Sequence, residues 1–159
     1  AAGYTLKLPS EDRKLQTRSG FLDEIAVLLA GHETEKTIFG EVTTGASNDL
    51  ERATQISHDL VTRYGMSDKL PPRTFGTHEE MIFLGREIHE QRDYSEKTAE
   101  RIDEEISRLI NDASKTAKEI LTTSHETFEK LVSVLLEKET IERVEFEALF
   151  EEKSQENSL

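Results

Sequence analysis

From Ser95 to the C-terminus the chain contains neither glycine nor proline. Within that stretch Ala99, Ile102, Ile106, Leu109, Ala113, Ala117 and Ile120 recur at steps of three and four, which is the period of an amphipathic helix and not of a strand. One long helix with a single apolar seam is expected, and any fold for this chain must cover that seam. Phe128, Leu131, Val132, Leu135 and Leu136 mark a second helix, and Phe146, Leu149 and Phe150 a shorter third one. The C-terminal half therefore reads as a helical hairpin plus a short helix, packed back on the first half. Residues 151–159 are expected to be a frayed tail.

The first half is also mostly helical in pattern. Phe21, Leu22, Ile25, Leu28, Leu29 and Ile38 fall at helical spacing, and Gly40 is a suitable stop. The glycine-containing loop "EVTTGAS" leads into another helix, with Asn48 as N-cap and Glu51 in the capping-box position; that helix ends at Gly65. "MSDKLPPRTFG" is loop, because its prolines cannot continue a helix, and "EMIFLGRE" reads as a short strand. Residues 2–8 alternate apolar and polar side chains like an edge strand, stopped by Pro9. The expected fold class is mainly α, with residues 1–150 forming one unit of two parts, 1–94 and 95–150. A strand with no partner strand in view suggests a fragment cut from a longer chain.

Composition narrows the function classes. Acidic residues exceed basic ones by 33 to 20, a formal net charge of −13, so the surface repels nucleic acid and anionic membrane, and no nucleic-acid partner is expected. The chain has no cysteine, which removes disulfides and thiolate metal sites and fits a reducing compartment. No apolar run approaches the roughly 18 residues of a membrane span, so none of this chain is expected to cross a bilayer.

Asp49 poses the chemical question. Ala53, Ile56, Leu60 and Tyr64 follow it in helical steps, so the carboxylate lies in line with the buried stripe of its helix. A charge moved out of water needs a cation, a set of hydrogen bonds or a metal. A plainer reading also holds: a carboxylate in the first turn is stabilised by the helix dipole. The histidines do not form a zinc motif by themselves. H-E-x-x-H needs two imidazoles one turn apart, and "HEEMI" at His78, "HEQRD" at His89 and "HETFE" at His125 each lack the second one. His32 and His58 are isolated. Neither a phosphate-binding loop nor a serine-nucleophile motif is present.

The ordered run of "AAGYTLKLPSEDR", "FLDEIAVLLAGHETEKTIFGEVTTGASNDLERATQISHDLVTRYGMSDKL", "FLGREI", "YSEKTAERIDEEI" and "LLEKETIERVEFEAL" resembles the protease domain of the FtsH family, from Gly3 to about Leu149. These are membrane-anchored, ATP-dependent zinc metalloproteases. The resemblance implies an ATPase module of the AAA+ class upstream, which would bind ATP and Mg, and a transmembrane anchor before it. It implies a homohexameric ring that degrades unfolded or membrane proteins, on the cytoplasmic side of a bacterial inner membrane or its organellar equivalent. It also implies that Asp49, in the N-D-L segment, is the third protein ligand of the catalytic zinc. The two histidines and the general-base glutamate of H-E-x-x-H are absent from this chain, so the zinc site is incomplete here and the fragment alone is expected to be inactive.

The family usually reads L-G-G-R-x-A-E-E before F-G, whereas this chain has "LAGHETEK", with His32 at the arginine position, Thr34 at the alanine and Glu35 at the first glutamate. Glu35 is thereby a candidate for orienting the zinc ligands. Zinc proteases of this kind commonly hold substrate extended along a sheet edge, which makes Gly3, Tyr4, Thr5 and Leu6 candidates for the substrate groove. The competing reading is a non-catalytic helical scaffold or oligomerisation module derived from such a protease. A free-standing acidic adaptor is a third reading, and it leaves an inward Asp49 unexplained.

Overall fold

The computed structural model describes residues 15–76 and 93–156, with side chains to residue 150. The strand expected over residues 2–8 and the one expected in "EMIFLGRE" lie outside the described residues. The remainder is helical: α1 (Arg18–Thr34), α2 (Ser47–Thr62), α3 (Glu96–Thr123), α4 (His125–Lys138) and α5 (Arg143–Glu156). A π turn, Glu35–Phe39, prolongs α1, and a 3-10 turn, Thr44–Ala46, precedes α2. The mainly α class expected from periodicity is observed.

Two of the long helices start on a side-chain cap. Thr17 Oγ1 accepts the Gly20 amide at 3.1 Å to open α1, and Ser95 Oγ accepts that of Thr98 at 3.3 Å to open α3. Each bond satisfies an amide that the helix itself cannot. Helix α2 differs from expectation. Its N-cap position is Ala46, without a side-chain bond, and Asn48 lies inside the helix. The reason is the 3-10 turn, which runs directly into α2 and moves the capping hydroxyl upstream to Thr43.

Helices α1, α2 and α3 form the core. Ile25, Ala26 and Leu29 from α1 meet Ala53, Leu60 and Val61 from α2 and Ile102, Leu109 and Ala113 from α3. Ile25 and Leu60 are fully buried, and burial of such a side chain contributes roughly 1.5–3 kcal/mol. The seam of α3 is covered only as far as its neighbours reach. Ala117 is buried, but Ile120 is 56% exposed, because α3 has 28 residues and α1 only 17. Ile38 and Tyr64, expected in line with buried faces, are each 44% exposed; Ile38 sits in the π turn, and Tyr64 lies past the end of α2, stacked on Phe21 at 5.4 Å. Helix α4 pairs with α5 and makes few contacts with α3.

The segment after α2 closes one side of the core. It inserts Leu70 and Phe75 and is clamped by charge. Arg18 Nε donates to the Met66 carbonyl at 2.8 Å and its Nη2 to Asp68 at 2.6 Å, while Arg101 reaches the Lys69 carbonyl at 2.6 Å. Glu105 is the centre of this clamp. Buried on α3, it accepts two bonds from Arg108, at 2.7 and 2.9 Å, and one from Ser67 Oγ at 2.8 Å. The same Ser67 oxygen accepts the amides of Lys69 and Leu70. The Arg108 bonds hold the Glu105 carboxyl below its ordinary range, burial opposes them, and Ser67 adds to the lowering.

Glu105→Gln leaves Arg108 without its buried counter-charge. A fully buried pair broken in this way costs about 3–5 kcal/mol; Arg108 is 34% exposed, so a loss of roughly 2 kcal/mol at neutral pH is expected by urea unfolding. Because the folded-state pKa is depressed, the contribution is complete above the ordinary carboxylate pKa and disappears as pH falls through the lowered value. A wild-type-to-variant difference that stayed constant into strong acid would contradict this reading.

Candidate metal centre

Glu35 occupies the π turn at the end of α1. Turns of this type insert an extra residue into a helix and often lie at functional sites. Gly40 closes it with φ 69°, a left-handed conformation that favours glycine. The chain then reverses, and Thr43 returns to Glu35. The Thr43 amide donates to Oε2 at 2.7 Å and its Oγ1 donates to Oε1 at 2.8 Å, so both carboxylate oxygens are used. The Thr43 hydroxyl also accepts the Gly45 amide at 3.1 Å, which caps the 3-10 turn. These contacts form a latch between the end of α1 and the start of α2.

The electrostatics of the latch follow from its donors. The Thr43 amide, then its hydroxyl, lowers the pKa of Glu35; slight burial opposes this, and nearby His32 lowers it further. Gly45 is explained by space. A Cβ there would stand 3.2 Å from Thr43 Oγ1 and 3.5 Å from Glu35 Oε1, so a side chain would press on the latch.

Beyond the latch, Ala46 is buried and the Ser47 amide bonds the Thr44 carbonyl, continuing the 3-10 turn into α2. Asp49 lies in the first turn of α2. Ala53 and Leu60 downstream are buried, as the stripe requires, but Asp49 itself is exposed. The expectation of a buried carboxylate is corrected: the stripe runs past the edge of the core, and Asp49 is its solvent end. Among the described residues its carboxylate has no hydrogen-bond or ion-pair partner.

The Asp49 carboxylate, without a partner, is free to bind a hard or borderline dication through oxygen. It supplies one ligand. Among the described residues no group of three or more His, Asp or Glu side chains is arranged to hold a metal. His32 lies in the last turn of α1, His58 stands 3.9 Å from Asp59 on α2, and His125 stands 3.9 Å from Glu129 on α4. The groove candidates Gly3, Tyr4, Thr5 and Leu6, with His78 and His89, lie outside the described residues. The sequence reading singled out Asp49 and Glu35 but missed Thr43 and Gly45; a Thr two residues before Gly at a helix entry was the available signal.

Comparison with known proteins places the chain in a class. The family model described as peptidase family M41 matches residues 1–149. The chain belongs to that family, as the resemblance to FtsH proteases implied. It is 50% identical over 150 residues to ATP-dependent zinc metalloprotease FtsH 1 of Thermomicrobium roseum, covering 94% of this chain and 23% of that protein. It is 46% identical over 156 residues to FtsH 1 of Conexibacter woesei, covering 98% and 24%. With FtsH of Thermotoga maritima the identity is 44% over 152 residues, covering 96% and 25%. The chain spans about a quarter of the length of these relatives.

The latch responds to acid in a defined direction. Glu35 titrates below its ordinary value of 4.5, so its bonds to Thr43 persist down to that pH and are lost as pH falls through the lower folded-state value. Amide exchange at Thr43, measured by NMR, should lose protection only in that acid window. Protection that is independent of pH there would mean that Glu35 does not hold the turn.

Proposed function

We propose that this chain is part of the peptidase domain of a membrane-anchored, ATP-dependent zinc metalloendopeptidase, and that Asp49 is its contribution to the catalytic zinc. The observation that carries the reading is the unpartnered Asp49 carboxylate, at the start of a helix whose next turns are anchored in the core, in a chain of peptidase family M41. Zinc in such a site, when bound, acts as a Lewis acid toward water and the scissile carbonyl. Asp49 would hold it, together with two imidazoles expected from an H-E-x-x-H segment elsewhere in the protein. The glutamate of that segment would be the general base, so this chain alone performs no proton transfer.

Glu35 is assigned the role of orienting the ligand-bearing segment, through Thr43. Gly3, Tyr4, Thr5 and Leu6 are assigned to the substrate groove on the sequence pattern alone: if they form the edge strand their alternation implies, an extended peptide would pair with it and be held without strong regard to sequence. Backbone recognition suits unfolded or membrane proteins as substrates and ATP-driven delivery from an upstream module. The membrane anchor and a homohexameric ring belong to the same proposal; among the described residues no helix is long and apolar enough to cross a membrane.

Asp49→Asn in the full-length enzyme tests the reading. A neutral amide is a poor zinc ligand, so peptide and casein hydrolysis should fall by more than about a hundredfold, with zinc content reduced and ATP hydrolysis retained. Wild-type proteolysis with unchanged zinc content would remove Asp49 from the site.

A further inference from the structure

We propose that Thr43 is a positioning residue for the metal site: its hydroxyl, shared between Glu35 and Gly45, fixes the turn that presents Asp49. The inference rests on the reading of Asp49 as a zinc ligand and adds a residue to it. Packing alone leaves the start of α2 underdetermined. Ala46 and Ala53 are buried, but residues 47–52 between them are all exposed, so no core contact within the first turn and a half fixes the direction of the carboxylate. Metal ligands must be held within roughly 0.5 Å of the productive geometry. Among the described residues the side-chain bonds of the turn leading into α2 converge on Thr43, since Ala46 at the N-cap offers none; the next tie to α1, from Arg52 Nη2 to Glu24 Oε1 at 2.8 Å, lies three residues past Asp49.

The two halves of the latch do different work. The Glu35 bond to the Thr43 amide ties the loop to α1, and any residue other than proline would supply that donor. The hydroxyl alone joins Glu35 to the Gly45 amide, and so passes the position of α1 into the 3-10 turn and then into α2. The tight room for a Cβ at Gly45, 3.2 Å from that hydroxyl, fits a close three-part contact. Valine at position 43 keeps the shape and the amide and removes only the hydroxyl; serine keeps the hydroxyl.

The test compares Thr43→Val, Thr43→Ser and Asp49→Asn in the full-length protein. It reads zinc affinity by chelator competition, kcat and KM on a peptide, melting of the metal-free protein, and amide exchange at Gly45. Thr43→Val should weaken zinc binding about 10- to 100-fold and lower kcat with little change in KM. Gly45 exchange should accelerate while metal-free melting stays near wild type. Thr43→Ser should restore zinc affinity and kcat to within a few-fold. Wild-type zinc affinity in Thr43→Val overturns the inference, as does an equal loss in the valine and serine variants accompanied by lower metal-free melting, which marks general damage. If Asp49→Asn loses zinc and Thr43→Val does not, only the role of Thr43 fails; if Asp49→Asn keeps zinc, the reading of the site fails.

Discussion

The burial of Ala53 and Leu60 between α1 and α3 fixes the axis of α2, and the location of Asp49 depends on it. Leu60 is fully buried and Ala53 nearly so, and truncation of a leucine in such a place typically costs about 2–5 kcal/mol. Their packing determines where α2 points but acts one turn and more beyond Asp49. The carboxylate therefore stands on an exposed stretch, residues 47–52, bracketed by buried Ala46 before it and buried Ala53 after it. A carboxylate without a cationic partner is available to a metal, because one already paired with arginine or lysine would have to release its partner first.

Charge is used differently elsewhere in the fold. Glu105 and Glu33 are both buried on core helices, and both have assigned partners: Arg108 and Ser67 for Glu105, and Ser114 Oγ at 2.6 Å for Glu33. They join segments distant in the chain. Glu35 holds a neighbouring turn with a carboxylate at the protein surface. Asp49 is set apart from these three because nothing among the described residues binds it. In a chain of net charge −13 the lack of a partner does not by itself single Asp49 out, since Asp23, Glu41 and Glu51 also have none among the described residues; its place in the N-D-L segment of a chain of peptidase family M41 does.

The sequence pattern foretold α3 best, since a stretch without glycine or proline and with steps of three and four has one reading. It overestimated how much of the seam is covered. Ile120 keeps the period but extends beyond its neighbours, and periodicity does not report the length of the partner helix. Asn48 was misplaced as a cap because a 3-10 turn has no apolar period by which to announce itself. The burial of Glu105 depends on Ser67, 38 residues away, and was invisible for that reason. The alignment of Asp49 with the stripe was legible and its exposure was not, while its chemical role came from the N-D-L motif and the family likeness rather than from spacing. Glu35 was found by the same likeness, but its contact with Thr43, eight residues on, follows a loop path that no helical or strand period describes.

Anomalous diffraction at the zinc edge, on crystals of the full-length protein, addresses the central claim most directly because it locates the metal without altering a residue. The account expects a single zinc with one Asp49 carboxylate oxygen at about 2.0–2.2 Å and two imidazole nitrogens completing its protein ligands. A fully occupied zinc whose protein ligands are complete without Asp49, with that carboxylate beyond coordination distance, would contradict it.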